Sequence, residues 1–105
     1  MVQQRFSIGT TPVLIANQKN IRRSIVITML PTSVETGNTG RIHIGKGFPP
    51  TTTLGDPSQG DILIQGTQIT EQEQFLNDPS VHKGQWWATA SAADQILTVD
   101  EVLKE

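Results

Sequence analysis

The sequence predicts an all-β protein: a single small β-sandwich or barrel of about seven short, mostly antiparallel strands, with an N-terminal arm or edge strand. Three observations lead there. Apolar residues recur with period two or in short runs, the spacing that sends alternate side chains to opposite faces of a strand. Gly, Pro, Asn and Asp clusters cut the chain at short intervals, and no long stretch carries the apolar period of an amphipathic helix. Hydrophobic residues make up 35% and charged residues only 17%, so uncovered strand faces must be dressed in neutral Thr, Gln and Ser. Disorder would instead accompany high net charge and few β-branched residues.

The elements follow in order. "MVQQRFSIGT" (1–10) scatters Val2, Phe6 and Ile8 with no local apolar partner, the pattern of an arm or edge strand that adds to a neighbour's sheet. Residues 11–105 form the single β domain. "PVLIAN" (12–17) is a short apolar run closed by Asn17. In "NIRRSIVITM" (20–29), Ile21, Arg23, Ile25, Ile27 and Met29 fall on one face, with Ser24, Val26 and Thr28 opposite. Pro31 ends that strand, because proline cannot donate to a ladder. The polar loop "TSVETGNTG" (32–40) leads into "RIHIG" (41–45), where Ile42 and Ile44 point one way and Arg41 and His43 the other. His43 is thereby expected to face solvent or a neighbouring subunit.

"KGFPPTTTLGDPSQG" (46–60) holds three of the six prolines and reads as a long irregular connection. "DILIQ" (61–65) reads as a buried strand, Gly66 as a break, and "TQIT" (67–70) as its continuation. "TEQEQFL" (70–76) supports two readings. Thr70 and Glu73 stand at capping-box spacing, which favours a short helix, whereas Gln72, Gln74 and Phe75 would carry a strand into the "NDPS" turn (77–80). "GQWWATAS" (84–91) and "QILTVDEVL" (95–103) read as a closing pair of strands joined by an "AAD" turn. There is no internal repeat, and 105 residues suffice for one domain.

Chemistry is sparse. The net charge of −2 gives no general attraction to nucleic acid or anionic membrane. No cysteine supplies a disulfide or thiolate. No apolar run approaches the roughly 18 residues of a membrane span, and the first residues lack the basic start and apolar stretch of a signal peptide. A soluble, unprocessed protein is expected. His43 and His82 have no ligand at metal-site spacing. Asp56 and Asp78 each precede proline as turn formers, and Asp100 and Glu101 are adjacent on a strand and so diverge. No nucleophile elbow is present, and "GKGFPP" (45–50) lacks the following helix of a phosphate loop. The expectation is no enzyme, with no catalytic, cofactor or metal residues.

Arg22 and Arg23 sit with Lys19 in a local basic cluster, but on a strand they point to opposite faces and make a poor phosphate clamp. An arginine opening a strand commonly lays its stem over the core edge and pairs with a carboxylate. Trp86 and Trp87 likewise alternate, one filling the core and the other either covering an edge or, where exposed, marking a contact surface.

The runs "VLIANQKNIRRSIVITM" (13–29), "RIHIGKG" (41–47), "GDILIQGTQIT" (60–70) and "GQWWATASAADQILTVDEV" (84–102) together resemble small bacteriophage virion β-sandwich proteins of the capsid decoration (cement) or head-fibre type. The resemblance implies a virion structural protein made in the host cytoplasm. It would bind the outside of the phage head through the major capsid protein, as a homo-oligomer with a trimer favoured, and stabilise the shell. Val2, Phe6, Ile8, Arg22, Arg23, Trp86 and Trp87 are the expected interface residues. The alternatives are a carbohydrate-binding β-sandwich module and a tail or baseplate adaptor. Neither nucleic acid nor membrane is an expected partner.

Overall fold

The computed structural model describes residues 2–29, 40–74, 81 and 83–103. Among them run eight strands and no helix: β1 (Val2–Ile8), β2 (Val13–Ala16), β3 (Arg22–Met29), β4 (Ile42–Lys46), β5 (Asp61–Leu63), β6 (Gln68–Gln72), β7 (Trp86–Ala90) and β8 (Gln95–Leu103). They build two four-stranded antiparallel sheets, ordered β1-β8-β3-β6 and β2-β7-β4-β5. The all-β sandwich expected from the alternation is the observed architecture.

The period-two pattern decides which face each strand buries. Along β8, Gln95, Leu97, Val99 and Glu101 point inward and are buried, with half-buried residues between them. Ile25, Ile27 and Met29 of β3 meet them from the neighbouring strand, and Ile42, Ile44, Ala88 and Ala90 rise from the opposite sheet. Ile42 stands beside Ala90 and Ile44 beside Ala88, so large and small residues interdigitate. Each fully buried isoleucine contributes roughly 1.5–3 kcal/mol.

Several expectations change. Of the arm and edge-strand readings of the N-terminal segment, the second is observed, but on its own chain's sheet: β1 is the edge strand that pairs with β8 from Val2↔Glu101 to Ile8↔Gln95, and Ile8 lies in the core. The apolar partner missing locally is Leu97, which stands opposite Phe6. The two closing strands do not pair with each other, because β7 and β8 belong to different sheets. Asp94, in the left-handed region at φ 59°, turns the chain between them, a conformation Asp tolerates better than most residues. Nor does β6 continue β5. The chain crosses after Gly66 (φ 78°) to the other sheet. β5 is a three-residue edge strand in which only Leu63 is buried, while Ile62 and the following Ile64 are 41% and 56% exposed. The helical reading of 70–76 fails through Gln74. Ladder bonding to β3 holds Gln68–Gln72 extended, and Glu73 N donates to Arg23 O at 2.8 Å. Phe75, the "NDPS" turn and His82 lie outside the described residues.

The inward face of β3 is also shifted. A β-bulge sets Arg22 opposite Leu103 but Ser24 opposite Val102, inserting one extra residue at Arg23. Arg22 therefore joins Ile25 on the inner face, while Arg23 is exposed and Ile21 is 50% exposed. Finally, His43 faces neither solvent nor a neighbour. The connection between β4 and β5 folds over the outer face of the second sheet and buries it. Thr89 Oγ1 donates to Pro50 O at 2.8 Å, and Arg41 Nη2 to Thr52 O at 3.0 Å. Arg41 Nε donates to His43 Nε2 at 3.0 Å, so His43 Nδ1–H is the donor to Gln59 O at 2.8 Å. Gly45 permits this cover, since a Cβ there would collide with Phe48 O.

Candidate functional site

One row across the first sheet organises the polar interior. Ile25 stands between Glu101 of β8 and Glu71 of β6, so two carboxylates point inward on either side of an isoleucine. A buried charge must be paired and hydrogen-bonded to be tolerated, and each of these is met by cations.

At the first, Glu101 is 2% exposed and Arg22 wholly buried. Arg22 Nε donates to Glu101 Oε2 at 2.8 Å, Nη2 to Asn17 O at 2.7 Å and Nη1 to Gly84 O at 3.1 Å. Lys19 Nζ donates to Glu101 Oε1 at 2.9 Å. The guanidinium thus ties β3 and β8 to the connections before β3 and before β7. Lys19 N donates to Lys83 O at 2.7 Å and reinforces the same junction.

At the second, Lys46 of β4 donates to Glu71 Oε1 at 2.5 Å and lies 3.7 Å from Asp61 Oδ2. Its Nζ is also 5.5 Å from the centre of the Trp86 ring, a favourable cation–π contact. Burial works against the charge on Lys46, but the Glu71 hydrogen bond and the Glu71 and Asp61 charges outweigh it and hold its pKa above the ordinary 10.5. This clasp links the two sheets at the β5/β6 side.

The β1/β2 side is different. Here the free edge of each sheet borders a cleft of about 240 Å³. Its lining is mainly polar, from Gln4, Asn17, Lys19 and Glu101, with Phe6, Leu14, Ile15 and Ala16 completing it.

The sequence-predicted residues are scattered over this frame. Ile8, Arg22 and Trp86 are fully buried, so their side chains serve the interior. Phe6 is half-buried in the cleft, and Val2 pairs by backbone with Glu101. Arg23 is 57% exposed, with Nε 3.4 Å from Glu73 Oε2 as an ion pair. Trp87 is half-buried on the outer face beside Leu14 and Gly45. The two indoles therefore share no surface, and a sugar platform built on both is ruled out. Lys19, Glu101, Gln4 and Asn17 were not singled out as a site. The available signal was Glu101 itself, a charge at an inward position of β8 that requires a buried counter-ion.

Of the six large exposed apolar side chains among the described residues, Ile21 and Val102 lie apart and the other four cluster in sequence. Phe48 (36%), Leu54 (61%), Ile62 (41%) and Ile64 (56%) all lie on β5 or its flanking connections. Among the described residues no group of three or more His, Cys, Asp and Glu is placed to hold a metal ion. Compared with known proteins, the chain matches no family, no curated protein and no solved structure.

Proposed function

We propose that the protein is a structural component of a phage virion, a capsid decoration protein that seats on the outside of the head and strengthens the shell, with no catalytic role. The observation that carries this reading is the exposed apolar set Phe48, Leu54, Ile62 and Ile64 on β5 and its flanking connections. Ionic and polar side chains of the interior are spent on holding the sandwich, whereas this edge presents apolar groups to the outside. An edge strand with exposed isoleucines is suited to permanent burial against another chain. Many copies on one shell act together, so a modest contact per copy suffices.

The test is co-sedimentation with empty shells assembled from the major capsid protein of the same genome. Wild-type protein should sediment with shells and raise their disassembly temperature. The double variant I62K/I64K should stay in the supernatant while retaining the wild-type thermal midpoint, because both side chains are exposed. Failure of wild-type protein to bind shells, or binding unchanged in the double variant, refutes the assignment of this edge.

A further inference from the structure

The cleft at the β1/β2 side has features that the frame does not require. Arg22 already supplies a counter-ion to Glu101 at 2.8 Å. Lys19 adds a second cation at 2.9 Å, so among the described ion pairs two positive charges meet one negative, a net charge of +1. Lys19 is 29% exposed and lines the cleft. An ammonium has three N–H donors, and Glu101 takes one of them among the described residues. The side-chain amides of Gln4 and Asn17 also line the cleft and hold no hydrogen-bond partner among the described residues. Phe6 follows Gln4 on the inner face of β1 and lines the same cleft.

Small-molecule sites combine an apolar wall with a few convergent polar groups. The polar groups here are one residual positive charge and two uncommitted amides. The volume of about 240 Å³ corresponds to about eight water molecules at about 30 Å³ each. That is the scale of a single sugar ring, below the roughly 300–1,000 Å³ of sites for larger ligands.

We propose that this cleft is a binding site for a carboxylate-bearing pyranose, a sugar acid of the uronic or sialic kind. Its carboxylate accepts from Lys19, its hydroxyls engage the amides of Gln4 and Asn17, and the C–H face of the ring lies on Phe6. The excess cation selects an acid over a neutral sugar, and the half-buried Phe6 ring selects a pyranose over a bare anion. The inference is independent of capsid attachment, since the cleft lies at the sheet edges opposite β5.

The experiment is an NMR titration of the isotope-labelled protein with D-glucuronate, N-acetylneuraminate, D-glucose and acetate. At least one sugar acid should shift the Lys19, Gln4, Asn17 and Phe6 signals, with glucose about tenfold weaker, the scale of one lost charge-assisted hydrogen bond, and acetate weaker too because it lacks the ring and hydroxyls. Raising salt should weaken the acid and leave glucose unchanged. K19Q, with its folding checked by tryptophan fluorescence, should bind glucuronate no better than glucose, and F6L should weaken every sugar. Shifts confined to another surface, acetate as effective as the sugar acids, K19Q retaining the preference, or no shift with either acid would each overturn the proposal.

Discussion

Replacing Glu101 with glutamine isolates what the buried ion pair contributes. The substitution keeps the shape and one carbonyl acceptor for Arg22 but removes the negative charge. Arg22, with no exposure at all, keeps the carbonyls of Asn17 and Gly84 at 2.7 and 3.1 Å but loses its buried carboxylate. Lys19, 29% exposed, can turn to water. Stranding a buried charge costs about 3–5 kcal/mol, and the retained carbonyl places E101Q at about 3. For a domain whose whole stability is roughly 5–15 kcal/mol, that is a large fraction. It corresponds to a fall in Tm of about 12–24 °C at about 4–8 °C per kcal/mol. Urea unfolding followed by tryptophan fluorescence reads the loss as a lower midpoint at unchanged slope. The double variant R22M/E101Q should lose less than the two single variants summed, with a coupling of about 1.5 kcal/mol or more. If E101Q unfolds within about 1 kcal/mol of wild type, the backbone carbonyls alone satisfy Arg22, and the pair is not what holds this end of the sandwich.

Three further outcomes are expected. G45A should destabilise by about 2 kcal/mol or more, because its Cβ meets the backbone oxygen of Phe48 and must lift the β4–β5 connection; hydrogen exchange at residues 47–60 should rise with it. W87A, on the outer face, should cost less than W86A, which empties the core end and should cost about 3–5 kcal/mol in the same urea assay. Lys46 has a folded pKa raised above 10.5, so its clasp contributes fully below that pH and is lost as pH rises through the folded value. The stability difference between wild type and K46M should therefore shrink above about pH 10.5, and a constant difference from neutral to alkaline pH would contradict the assignment.

The legible part of the fold is the part set by local alternation. β3, β4 and β8 declare their inner faces through Ile25/Ile27/Met29, Ile42/Ile44 and Leu97/Val99, and each of these is buried. The role of Arg22 was legible in kind, as a strand-edge cation seeking a carboxylate. Its partner lies 79 positions away, and only the register of β3 against β8 brings Glu101 to it. The bulge at Arg23 is invisible to a period-two count, which is why that count sets Ile21 and Arg23 inside. His43 was misplaced for another reason: strand alternation says which way a residue points, not whether a proline-rich connection will later cover that face. The same limit hid β5, whose apolar "DILI" pattern fits a central strand as well as an exposed edge.

The unequal treatment of the two sides of the sandwich ties these features together. Glu101 and Glu71 occupy one row of the first sheet, flanking Ile25, yet they are paired by different means. Glu71 is met by Lys46 from the facing sheet, so the pair spans the core and closes the β5/β6 side. Glu101 is met chiefly by Arg22 from its own sheet, so that pair strengthens one sheet and leaves the gap between β1 and β2 unspanned by Arg22. The cleft stays open where Arg22 pairs with Glu101 from the same sheet and Lys19 reaches it from the β2–β3 connection. Moving the cation across should abolish it: A16K in an R22M background, with Ala16 paired to the inward Trp86 and lining the cleft, would draw an ammonium toward Glu101 from β2, closing the cleft and releasing any sugar-acid response. If the NMR shifts persist in that variant, the cleft is not where the ligand sits.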